Sequence, residues 1–229
     1  MIGALGNRIM ERHFDEELHQ LKERLLLMGG LAEQAIGKAV KALVDRNPAM
    51  AEAVIADDVM VNRLEVEIED SCLQFLARYQ PEAKDLRFIA MVFKIVNDLE
   101  RVGDQAVNIS ERTLDLLKEP LLKPLIDIPK MAQLAQQMLK DSLDAFVRNE
   151  AELARDVCRR DDEVDQLNDD IYRELLGFMT QDPRTISRAV DLILIGRSLE
   201  RTADHATNIA EDVYYLVRGA TIKHRLAAL

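Results

Sequence analysis

The segment LERVGDQAVNI at Leu99–Ile109 recurs as LERTADHATNI at Leu199–Ile209, with Glu100 and Glu200 standing 100 positions apart. Upstream, DVMVNRL at Asp58–Leu64 aligns with DDEVDQL at Asp161–Leu167. That register pairs Asp58 with Asp161, Val61 with Val164, Asn62 with Asp165 and Leu64 with Leu167. KALV at Lys41–Val44 pairs with DAFV at Asp144–Val147 in the same register. Self-similarity at one long period signals duplication of a supersecondary unit, so the fold must be a pair of like parts.

Each unit reads as three helices. The first gives helices over about 12–45, 49–78 and 82–118, and the second over about 129–148, 150–180 and 183–217. The breaks fall at Asn47-Pro48, Gln80-Pro81, Asn149, Asp182-Pro183 and the proline-rich PLLKPLIDIP at Pro120–Pro129. Proline opens a helix readily but cannot continue one. Gly (9) and Pro (6) are otherwise scarce, and no alternating strand pattern occurs. Val54, Val61, Leu64, Ile68, Cys72 and Phe75 recur at spacings of three, four and seven. Leu153, Val157, Val164, Leu167, Ile171, Leu175 and Phe178 do the same, and both sets read as core stripes. Long helices with short loops form antiparallel bundles. The expected fold is all-α, two tandem antiparallel three-helix bundles related by an internal repeat, divided as 1–120 and 121–229.

Charge narrows the function. A net charge of −11 lacks the basic face of a nucleic-acid binder. No apolar run reaches the roughly 20 residues that span a bilayer, and the N-terminal stretch turns acidic too early for a signal peptide. These features point to a cytoplasmic protein with reduced, buried Cys72 and Cys158.

The repeated motif places acids on one side of its helix. At about 100° per residue, Asp104, Asn108 and Glu111 fall within about 80° of Glu100. Met91, Ile95, Leu99, Val102, Ile109 and Thr113 take the far side. Glu200, Asp204, Asn208 and Glu211 repeat the stripe. Companion stripes run through Asp58, Asn62, Glu65 and Glu69, and through Asp161, Asp165, Asn168 and Asp169. Phe93 and Ile193 border the motif stripes and suggest an apolar contact, which supports a homodimer.

An acidic helix face is commonly just solvated. Here the order Glu, Asp, Asn is kept between halves that diverged elsewhere, which solubility does not require. Carboxylates four residues apart on a helix repel by a few tenths of a kcal/mol. A multivalent cation reverses that cost, and carboxylate and carboxamide oxygens suit hard ions. The candidate metal ligands are therefore Glu100 and Asp104, Glu200 and Asp204, and Asp58, Asn62, Asp161 and Asp165. A ferritin-type di-iron centre would need two inward Glu-x-x-His motifs. Only Glu16–His19 fits, outside the repeated motifs. His205, where the first repeat has Gln105, is a weaker candidate. His13, His19 and His224 read as surface residues, and Arg101 and Arg201 as partners in ion pairs to nearby acids.

These residues resemble the PhoU family. The likeness is carried by HFDEELHQLKERLLLMG at His13–Gly29, DLRFIAMVFKIVNDLERVGDQAVNI at Asp85–Ile109, SLDAFV at Ser142–Val147 and RSLERTADHATNIAEDVYYL at Arg197–Leu216. The resemblance implies multinuclear metal clusters, iron or zinc with magnesium or manganese as alternatives, on the E(D)-x-x-x-D motifs. Asn62 departs from that acidic pattern, so the first half is expected to hold fewer metals or hold them more weakly. The resemblance also implies a negative regulator of phosphate uptake and of phosphate-starvation signalling. Such a protein bridges the ATP-binding subunit of the phosphate transporter and a sensor histidine kinase, and meets the membrane only through partners. No Walker loop or Ser-His-Asp arrangement argues for catalysis. The competing readings are a carboxylate-bridged metal enzyme and a metal-free helical interaction protein.

Overall fold

The computed structural model describes residues 2–222, with side chains from residue 13 onward. His224 lies outside the described residues. Among the described residues seven helices follow one another: α1 (Ile2–Val44), α2 (Pro48–Asp57), α3 (Val59–Tyr79), α4 (Ala83–Leu116), α5 (Asp127–Arg148), α6 (Ala151–Gln181) and α7 (Ile186–Arg218). A 3-10 turn over Pro183–Thr185 leads into α7. Among the described residues there is no strand. The first bundle is α1, the α2–α3 rod and α4; the second is α5, α6 and α7.

Local chemistry sets the ends. Asn47 accepts a hydrogen bond from the Met50 amide (3.1 Å) ahead of Pro48, an N-cap with proline at the first helical position. Gln80, Asn149 and Gly219 close α3, α5 and α7 in the left-handed conformation that ends helices. Asp182 caps the 3-10 turn by accepting from the Arg184 amide at 3.0 Å.

Four boundaries differ from the sequence expectation. The first helix starts at Ile2, ten residues earlier than Arg12. Helix α5 starts at Asp127, admitting Pro129 within its first turn. Helix α7 starts only after the 3-10 turn. The second helix is broken at Asp58, a one-residue interruption inside an otherwise continuous helical path. No proline or glycine marks that position, so pattern reading runs through it.

Both apolar stripes are buried as expected, with Leu153, Leu167 and Phe178 packed half-buried at the margin. One hydrophobic cluster runs through both repeats, because α4 packs along α7 and α1 along α5. Ile95, Leu99, Val102 and Ile109 of α4 meet this core together with Ile195, Leu199, Ala206 and Ile209 of α7. The E-x-x-x-D helices are therefore the central pair of the molecule. Phe93 and Ile193 are half-buried and packed against that core, so they present no free apolar patch.

Candidate metal centre

In the first repeat the Asp58 carboxylate lies against α4. A Cβ at Gly103 would lie 2.9 Å from Asp58 Oδ1 and 3.3 Å from Val61 Cγ1, so glycine makes the approach possible. Asn62 donates its Nδ2 to Asp58 Oδ2 at 2.9 Å. Glu100 and Asp104 of α4 and Glu65 of α3 complete the group. Burial pushes the Asp58 carboxyl above its ordinary range; the Asn62 amide opposes this and Asp104 adds to it. Glu65 is raised by burial, then by Glu69 and Asp104. Glu100 is raised by burial, then by Asp104 and Glu65. The carboxylates sense one another across the α3–α4 seam, and each disfavours its neighbour's charge.

The second repeat gathers Asp161, Asp165 and Asn168 of α6 beside Glu200 and Asp204 of α7. Asp161 is pushed up to about 6 by burial first, then by Asp204 and Asp165. The Thr207 hydroxyl lies beside Asp161 and eases its charge. Even so, Asp161 Oδ1 and Thr207 Oγ1 are both buried without a hydrogen bond of standard geometry. Asp165 is raised by burial, Asp204, Asp162 and Asp169. Glu200 is raised by burial, Asp165 and Asp204. Burial raises Asp204 as well, against the lowering pull of His205 and Arg201. Asn168 donates to Glu200 Oε2 at 2.7 Å, and a Cβ at Gly196 would lie 2.9 Å from Asn168 Oδ1.

A polar groove of about 700 Å³ between α4 and α7 joins the two ridges. Glu100, Asp104, Asp204 and Glu211 line it with Arg101, Arg201 and His205. The sequence offered a separate site in each half and gave no sign of this shared groove. Among the described residues Arg101 and Arg201 make no ion pair within 4 Å, contrary to expectation. They act on Glu100 and Asp204 only at longer range. His205 is held through Nδ1, 2.8 Å from Asp98 Oδ1 of α4, and Asn208 donates to the same oxygen at 3.3 Å. The pseudo-equivalent positions are Gln105, Ser198 and Asn108, so this cross-repeat contact exists on one side only. His13 and His19 are exposed, each near a glutamate of its own helix.

Among the described residues no three His, Cys, Asp or Glu side chains converge as a ready-made metal cage. The donor chemistry nevertheless suits a hard cation. Two oxygen-rich ridges hold carboxylates that burial and mutual repulsion disfavour, and a buried carboxylate oxygen of Asp161 has no hydrogen bond of standard geometry. Glycine faces Asp58 and Asn168 where a methyl group would intrude. Glu65, Asn168 and Thr207 join the eight ligand candidates named from sequence. The first two were visible as stripe members, whereas Thr207 carried no signal of its own.

A family model described as "PhoU domain" matches residues 25–113 and again 128–213. The chain belongs to the PhoU family. A PhoU homologue of the phosphate-specific transport system from Aquifex aeolicus is 44% identical over 210 residues, 92% of this chain and 95% of that protein. The crystal structure of PhoU from Pseudomonas aeruginosa is 42% identical, covers 90% of this chain and 100% of that one, and superposes with a TM-score of 0.88. The phosphate transport system regulatory protein PhoU from Streptococcus pneumoniae gives 32% identity, 92% and 99% coverage and a TM-score of 0.85. The paired three-helix bundles are thus the PhoU arrangement. The relatives are named as accessory or regulatory proteins, not enzymes. No helix among the described residues is long and apolar enough to cross a membrane.

Proposed function

We propose that this PhoU-family accessory protein of phosphate transport is a metal-binding regulatory adaptor. In this reading Asp58, Asn62, Glu100 and Asp104 hold metal in the first repeat, and Asp161, Asp165, Glu200 and Asp204 in the second. Glu65 and Asn168 supply further oxygens. The observation that carries the reading is the duplicated ridge of mutually repelling carboxylates, Asp58, Glu100, Asp161 and Glu200 half-buried and Asp104, Asp165 and Asp204 exposed beside them, each ridge drawn from two neighbouring helices. A bound cation supplies the positive charge that these oxygens lack. Oxygen donors favour iron, manganese or magnesium; His205 adds the only imidazole of the groove, the donor type zinc prefers. In the cytoplasm the loaded protein docks on the transporter's ATP-binding subunit and on the sensor histidine kinase, and so lowers phosphate uptake and starvation signalling. The family supports that role, and the absence of a positioned nucleophile–base pair among the ridge residues supports an adaptor over a catalyst.

Two measurements test this. Elemental analysis after desalting should find metal in the native protein and little in the Glu100→Ala/Asp104→Ala/Glu200→Ala/Asp204→Ala variant. A pull-down of the transporter ATPase should weaken with the same variant. Undiminished capture by a folded, metal-free variant removes metal from the docking step.

A further inference from the structure

One face of α7 is built unlike its counterpart on α4. Ile186, Val190 and Leu194 stand 46%, 41% and 41% exposed, one helical turn apart. The same face continues into Arg197 and Arg201, all five positions falling within about 80° around the axis. Arg197, Arg201 and Leu194 then line a cleft of about 480 Å³ with Ser198, and with Asn108 and Arg112 of α4. Arg112 is held there by Asp191 (3.5 Å) and Asp115 (3.4 Å). Among the described residues Arg197 and Arg201 make no ion pair within 4 Å.

The repeat provides an internal control. The equivalent positions on the other side of the pseudo-twofold are Leu86, Ala90, Lys94, Asn97 and Arg101 on α4, with Asp98 for Ser198 and Asp212 for Arg112. There Lys94 is paired with Asp212, and Asp98 with His205 and Asn208. That side is neutralised by close pairs, whereas on the α7 side only Arg112 is so held, and Arg197 and Arg201 reach Glu200 and Asp204 at longer range beside an apolar run. Such an island in a chain of net charge −11 is not a general property of its surface.

We propose that this strip of α7 docks a helix of a protein partner that presents apolar side chains followed by carboxylates. The strip runs about 22 Å from Ile186 to Arg201, four turns of helix. Apolar anchors one turn apart are how a helix engages a surface, and guanidiniums pair carboxylates in fixed geometry. The cleft's volume and the exposed Leu194 suit a peptide better than a small inorganic anion. The proposal rests on the adaptor reading only in supposing a protein partner, and it requires no metal.

The test uses the full chain with EDTA present and a labelled synthetic helix of about sixteen residues, with leucines one turn apart and then glutamates. Fluorescence anisotropy should show it binding at least about tenfold tighter than a twin with lysine for glutamate. Raising salt from about 0.05 to 0.5 M should erode the preference. Arg197→Glu/Arg201→Glu should abolish it, Val190→Ser/Leu194→Ser should weaken binding of either peptide, and Arg101→Glu should change neither. Equal binding of the two peptides, or equal harm from Arg101→Glu, overturns the proposal. So does a halved mass of Arg197→Glu/Arg201→Glu by sedimentation, which would make the strip a contact between copies of this chain. Because the chelator removes metal, failure here is separable from failure of the metal centre.

Discussion

The two acidic ridges share a scaffold and differ in how much repulsion they carry. In the first, Asn62 donates to Asp58, so one carboxylate has a neutral companion one turn away. In the second, the same position is Asp165, whose charge adds to burial and Asp204 in pushing Asp161 up to about 6. The difference of one oxygen for one nitrogen replaces a hydrogen-bonded pair with a pair of like charges. Duplication preserved the spacing of the ridge and left its charge density free to vary. Where charge is densest, a cation gains most and the empty protein loses most.

The largest effect that can break this comparison is metal-dependent stabilisation. A cation at a hundred times its dissociation constant adds about 2.7 kcal/mol to folding stability. In a chain of this size that raises the melting midpoint by roughly 5–10 °C. Scanning calorimetry with and without iron(II) or manganese(II) should show most of the rise lost in Asp161→Asn/Asp165→Asn. Asp58→Asn should lose the smaller share. Equal losses would show that the two ridges bind alike despite Asn62.

Exchange of the decisive residue, in metal-free protein, sharpens the point at smaller scale. Asn62→Asp removes a donor to a half-buried carboxylate and adds a like charge, and should cost about 1–2 kcal/mol in urea melts. Asp165→Asn should stabilise by about 1 kcal/mol. The pH dependence follows in sign. The folded-state pKa of Asp161, about 6, stands above its ordinary 3.8. Its contribution to metal-free stability is complete below pH 3.8 and is lost as pH rises through 6. After allowance for solvent screening the loss is on the order of 1 kcal/mol, and Asp161→Asn should flatten it. A variant with the native slope would assign the pH dependence to other groups.

The repeat, the three-rod plan of each unit and the core stripes were legible because helical periodicity and proline punctuation are local signals. The acidic stripes were legible for the same reason, and Asn62 stood out as the unlike member. The break at Asp58 was hidden, since its backbone remains helical on both sides and nothing in residue type announces it. Partner choice was also hidden. Phe93 and Ile193 pack half-buried against the core, and Arg101 and Arg201 line a groove between helices without a close ion pair to their sequence neighbours. The Asp98–His205 contact joins residues 107 apart in sequence. Such pairings are set by how the two repeats dock, which no window along one helix contains.

The smallest expected effect on stability probes how the first ridge is held together. Gly103→Ala gains about 1 kcal/mol of helix propensity. Against this, the new methyl would stand 2.9 Å from Asp58 Oδ1 and 3.3 Å from Val61 Cγ1. Asp58 is a short side chain at a helix interruption and can swing aside, so the gain and the crowding nearly cancel. Urea melts should place the variant within about 1 kcal/mol of the native chain. Its metal response should change more, because Asp58 can no longer lie against α4 beside Asp104. Gly196→Ala provides the matching perturbation in the second ridge, where the displaced group is Asn168 and Asp161 stays in place. Gly103→Ala should therefore lose nearly all of the first ridge's metal-dependent rise in melting temperature, and Gly196→Ala only part of the second's. If both variants keep the full rise, close approach of the helices is packing alone and the ligands assemble without it.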